Sequence, residues 1–142
     1  MILLTLDTSS VTAAAGLYRD GAPVAELFMN NGLTHSQTAV PMIEALFKLS
    51  RLSPNDLTDI AVTNGPGSFT GLRIGVSAAL GMAASTGANC VGVSSLEAAA
   101  RSAGRHDGII CALMDARRGE AYTAIFRNNL RLREDRAIPI IE

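Results

Sequence analysis

Residues 109–129, IICALMDARRGEAYTAIFRNN, restate residues 3–21, LLTLDTSSVTAAAGLYRDG, at an offset of 108 that aligns Cys111 with Leu3. With Asp115 under Asp7, an apolar run precedes each acid and a short polar turn follows it. Ala121 then falls under Ala13, Ile125 under Leu17, Phe126 under Tyr18 and Arg127 under Arg19, and the hairpin Asn128-Asn129 falls under Asp20-Gly21. Chance matches apolar letters easily, but strand, acid, turn, strand and hairpin in one register are harder to obtain. The spacing predicts an internal duplication.

Outward from these copies, the signals alternate between strand and helix. Ile2 to Leu6, Thr12 to Tyr18 and Val24 to Met29 read as strands, with Asp20-Gly21 as a two-residue hairpin. Thr34 precedes a helix from about His35 to Arg51, and Ser53 to Asp56 starts a short turn. Ile60 to Thr63 is a fourth strand, and a second helix from about Thr70 to Ser85 stops at Gly87. Cys90 to Val93 is a fifth strand, after which Ser95 caps a third helix through about Ala103. The expected fold is α/β: residues 1–104 form a complete first lobe, βββαβαβα, and 105–142 supply the opening strands of a truncated second lobe. The apolar, uncapped ending Ile138-Pro139-Ile140-Ile141 reads as that of a fragment.

Composition narrows the function classes. A formal net charge of -1 gives no concentrated basic face for autonomous nucleic-acid binding. The late arginines, Arg117, Arg118, Arg127, Arg131, Arg133 and Arg136, are interleaved with Asp115, Glu120, Glu134 and Asp135, as on a solvated mixed-charge surface. Cys90 and Cys111 lack CxxC spacing and read as reduced thiols. No positive leader precedes Asp7, and the apolar stretch Ile74 to Ala84 is too short for a membrane span, so a cytoplasmic protein is expected. Hydrophobic residues make up 48% of the chain although there is no Trp, an excess that a second subunit would cover.

The helices carry that excess. On a helical wheel, Glu44, Lys48 and Arg51 fill one narrow sector of the first helix. Val40, Ile43 and Phe47 lie toward one edge of the remaining arc, and Met42, Ala45 and Leu49 toward the other, which is wider than one sheet contact needs. Gly71, Gly75, Ala79 and Ala83 recur every fourth residue in the second helix, a small-residue face that admits a close neighbour. Two readings stand: the helices pack on each other within the lobe, or they form a bundle with another chain. On the second, the contact residues are His35, Met42, Ala45, Leu49, Gly71, Gly75, Ala79 and Met82.

Two turns could hold an anion. Asp7-Thr8-Ser9-Ser10 at a strand end offers N–H groups and hydroxyls, although it also fits an ordinary Asx turn. Gly65-Pro66-Gly67-Ser68 precedes a helix N-terminus; its glycines permit close backbone approach, or simply seat the helix. Asp7, Thr8, Ser9, Ser10, Gly65, Gly67 and Ser68 are therefore the phosphate-loop candidates. Lys48 is the only lysine, which excludes a lysine-dependent phosphate clamp. Asp115 to Glu120 is a candidate second turn-bound site. His35 and His106 are too few for a metal centre, and no hydrolase elbow is present, so neither metal ligands nor catalytic residues are assigned.

Four segments carry a family resemblance: Leu-Asp-Thr-Ser-Ser at 6–10, Thr-His-Ser-x4-Pro-Met-Ile at 34–43, Thr-Asn-Gly-Pro-Gly-Ser-Phe-Thr-Gly-Leu-Arg-Ile-Gly at 63–75 and Met-Asp-Ala-Arg-Arg-Gly-Glu-Ala-Tyr at 114–122. They closely resemble the bacterial TsaB (YeaZ) family across essentially the whole chain. The resemblance implies a duplicated actin/Hsp70/sugar-kinase (ASKHA) fold, with a ribonuclease H-like first lobe complete and a second only begun. It implies a role in placing threonylcarbamoyl on N6 of adenosine 37 in tRNA. The implied partners are a TsaD-type catalytic subunit, bound through the first-lobe helix pair, and a TsaE-type ATPase. A homodimer is implied for the chain alone. Contact with tRNA is then indirect, and ATP or ADP enters only within the complex. TsaD-like proteins carry a His-x-x-x-His metal pair after the fifth strand, where this chain has Ser95-Leu96-Glu97-Ala98-Ala99, and neither serine nor alanine replaces imidazole on a transition metal. The resemblance therefore implies a non-catalytic scaffold, and the older peptidase label loses its metal as well. The alternatives are a phosphotransferase using Asp7 as its metal-facing acid, or a self-associating binding module.

Overall fold

Leu4 and Leu6 alternate along one strand, and Ala13, Ala15 and Leu17 along the next, so the pleat turns all five to one face. In the computed structural model of the protein, which describes residues 1–104 and 107–140, that face is the core of a first unit. Strand β1 (Ile2–Asp7) pairs antiparallel with β2 (Ala13–Arg19), setting Leu4 opposite Leu17 and Leu6 opposite Ala15. Strand β3 (Ala22–Met29) returns beside β2 through Asp20-Gly21, where φ values of +52° and +84° match a two-residue hairpin turn. Strand β4 (Asp59–Gly65) lies parallel to β1, and with β5 (Asn89–Ser94) the sheet order is β3-β2-β1-β4-β5.

A parallel neighbour requires a crossover. Helix α1 (His35–Ser50), followed by the 3-10 turn Pro54–Asp56, links β3 to β4, and helix α2 (Phe69–Thr86) links β4 to β5. Helix α1 buries Thr38, Ala39, Met42, Ile43, Leu46 and Phe47, the three-and-four spacing of one apolar face. Helix α2 starts where the Ser68 hydroxyl accepts from Gly71 N–H at 3.2 Å, and ends at Gly87, whose N–H donates to Ala83 C=O at 2.8 Å.

The second unit is a three-stranded antiparallel sheet, β6 (Ile109–Arg117), β7 (Glu120–Arg127) and β8 (Leu130–Pro139), in that order. Helix α3 (Ser95–Ser102) packs on it, its Leu96 and Ala100 forming one buried cluster with Ala112, Ala124 and Phe126. Counting elements puts α3 in a lobe spanning 1–104; packing puts it with β6 and β7. The chain accordingly divides into Met1–Asn64 with Ser68–Gly92, and Gly65–Gly67 with the residues from Val93 onward. The cap of α3 is Ser94, one residue before the expected Ser95, and its hydroxyl accepts from Glu97 N–H at 3.2 Å.

The repeat holds in both units, with one adjustment. Asp7 Oδ1 accepts from Ser9 N–H at 2.8 Å, and Asp115 Oδ1 accepts from Arg117 N–H at 2.7 Å, so each acid closes the same turn two residues on. Asp7 pairs with Ala14, seven residues later, whereas Asp115 pairs with Ala121, six residues later. The second connection is therefore one residue shorter, and Ala112 faces Ala124, where a constant offset of 108 expects Ile125. Because a one-residue slip reverses faces, Ala124 and Phe126 turn to α3.

Glu97 ties α3 to β8. Its carboxylate accepts from Arg101 at 2.7 Å and from Arg131 at 3.3 Å, and these two partners hold its pKa below the usual carboxylate value. A depressed folded-state pKa stabilises above the unfolded pKa and loses that contribution as pH falls through the folded value. We expect Glu97→Gln to cost about 0.5–1 kcal/mol at neutral pH, with the gap from wild type closing as the pH falls below about 4. Thermal unfolding of both proteins across that range checks it.

Candidate functional site

The residues singled out in the sequence converge on the turn between β1 and β2. Thr8 and Ser9 are shielded there, 0% and 2% exposed. The Thr8 hydroxyl donates to Gly71 C=O on α2 at 2.8 Å. Ser68 N–H donates to Ser9 C=O at 2.7 Å, fastening the start of α2 to the same turn. His35 Nε2, at the first residue of α1, lies 2.7 Å from Ser10 C=O. A carbonyl only accepts, so the proton sits on Nε2, while Nδ1 is buried without a partner among the described residues. The Thr63 hydroxyl of β4 donates to Asp7 Oδ1 at 2.8 Å, beside the Ser9 N–H on that same oxygen.

This geometry revises the anion-loop reading. The Thr8 hydroxyl, the Ser9 N–H and Asp7 Oδ1 are committed to the fold, and Thr8 and Ser9 do not open to solvent. Ser10 Oγ turns to Thr12 Oγ1 at 2.8 Å. Within the glycine-rich loop, Gly65 at φ +123° adopts a backbone that side-chain-bearing residues rarely take. Gly65 and Gly67 belong to the second unit and Ser68 to the first, so the loop splits at Gly67. In the second copy, Arg117, Arg118 and Gly119 all have positive φ and make a tight turn.

The contact residues sort by burial. Met42 is 3% exposed and belongs to the core, as does Ala79 at 0%. A Cβ on Gly71 would fall within 3.0 Å of the Thr8 carbonyl oxygen, and one on Gly75 within 3.0 Å of the Thr8 hydroxyl. The small-residue face of α2 thus receives a turn of its own lobe. Met42, Gly71, Gly75 and Ala79 are buried within their own lobe rather than contact residues, and altering them tests folding before binding. Ala45, Met82 and His35 are partly exposed and Leu49 is 68% exposed. The sequence missed Phe69 and Leu80 on α2, 74% and 55% exposed, and Val40 on α1, 53% exposed; a search for large apolar residues off the buried stripe would have found them.

Ser95, at the first ligand position of the absent His pair, is 4% exposed and donates to Pro66 C=O, and Ala99 is exposed. Among the described residues no group of His, Cys, Asp and Glu is arranged to hold a metal ion, and His106 lies outside them. No described helix is long and apolar enough to cross a membrane.

Comparison with known proteins places this architecture. Residues 32–139 match the family model described as "TsaD: tRNA N6-adenosine threonylcarbamoyltransferase". The tRNA threonylcarbamoyladenosine biosynthesis protein TsaB of Bacillus subtilis is 39% identical over 127 residues, covering 89% of this chain and 56% of that protein. The TsaB of Escherichia coli is 35% identical over 131 residues, again 56% of its length. The chain therefore spans just over half the length of these relatives. The structure of YeaZ from Pseudomonas aeruginosa superposes with a TM-score of 0.85 at 26% identity, over 97% of this chain and 67% of that one.

The close approach of Thr8 to α2 makes a testable contrast. Gly71→Ala forces a methyl group against backbone and should destabilise by about 1–3 kcal/mol. Gly81→Ala on the same helix, with nothing within 4 Å of its added Cβ, should stabilise by up to about 1 kcal/mol. Urea unfolding of the two variants measures both signs.

Proposed function

The chain belongs to the TsaD-type threonylcarbamoyltransferase family, on its TsaB (YeaZ) branch and with the actin/sugar-kinase-like (ASKHA) α/β fold, and on that premise we propose that it is a non-catalytic scaffold subunit. In this reading it binds and activates a TsaD-type transferase in threonylcarbamoyl modification of tRNA adenosine 37.

One observation carries the proposal. Of the eighteen residues of α2, only Gly71, Gly75 and Ala79 are buried. A helix with so much apolar surface normally has that surface covered. Phe69 and Leu80 on α2, with Val40 and Leu49 on the neighbouring α1, are the large apolar residues a second helical surface would cover. The same residues suit pairing between two copies when no transferase is present. The substitution of the metal-binding His pair by Ser95 and Ala99 supports the non-catalytic role. A TsaE-type ATPase, ATP or ADP, and tRNA enter only through the assembled complex.

Light scattering after size exclusion, on the chain alone and mixed with a TsaD-type subunit, tests this. The expected result is a mixed species that replaces a homodimer. Leu49→Glu and Leu80→Glu should each weaken pairing about tenfold or more without changing the circular dichroism spectrum. Independent elution of the two proteins would overturn the proposal. Intrinsic ATP turnover abolished by Asp7→Ala would point to a phosphotransferase instead.

A further inference from the structure

We draw no further inference here: the strongest candidate, the His35 imidazole at the start of α1 with Nδ1 unpartnered among the described residues, belongs to the β1–β2 turn already described, where its other nitrogen is spent on Ser10 C=O, and the side chain is too exposed for that one atom to mark a built site.

Discussion

The first unit depends on one close approach, that of Thr8 to helix α2. A fully buried hydroxyl must find an acceptor or cost free energy, and the acceptor here is Gly71 C=O, 2.8 Å away inside a helix. That bond requires the turn to lie against the helix backbone, where Gly71 and Gly75 leave no room for a Cβ. It also sets where α2 starts, because Ser68 N–H reaches Ser9 C=O only with the turn in that position. Asp7 closes the turn from one side through Ser9 N–H, and Thr63 holds Asp7 from β4. Strand pairing, helix start and turn shape are one constraint seen from three elements.

The second copy shows which part of that constraint is separable. Asp115 keeps the acid's bond to the N–H two residues on, but Ala116 stands where the repeat places Thr8 and has no hydroxyl to bury. There the connection is one residue shorter and closes through three positive-φ residues. The Asx turn is thus a local property of an acid at a strand end. The close approach is a tertiary property that needs Thr8 and the glycines of α2 together.

Legibility in the sequence follows that division. The hairpin at Asp20-Gly21 and the stop at Gly87 were readable because each is decided within a few residues. The duplication was readable because an acid, a turn and a hairpin recur in order. Burial of Met42 was not, since a wheel gives the width of an apolar arc and not which edge the sheet covers. Nor was the role of Gly71 and Gly75: four-residue spacing says that something approaches closely, and is silent on whether it is a partner helix or a turn seven strand and loop residues after Met1. The allegiance of α3 was equally hidden, because a single Leu96–Ala100 stripe packs on whichever sheet lies nearest.

The same turn joins the two helices that carry the exposed apolar residues. His35, the first residue of α1, meets Ser10 C=O, and Gly71, on the first turn of α2, meets Thr8. The helices are therefore referenced to one short segment at their N-terminal ends, and the Nε2–H tautomer of His35 is fixed by an acceptor that offers no alternative. Protein interiors this closely packed shift between discrete arrangements more readily than they deform. The N-terminal ends of α1 and α2 reach the turn through two hydrogen bonds and a glycine contact, and the turn is itself closed by Asp7. The central turn of the first unit spends its polar groups on holding that unit's own strands and helices together.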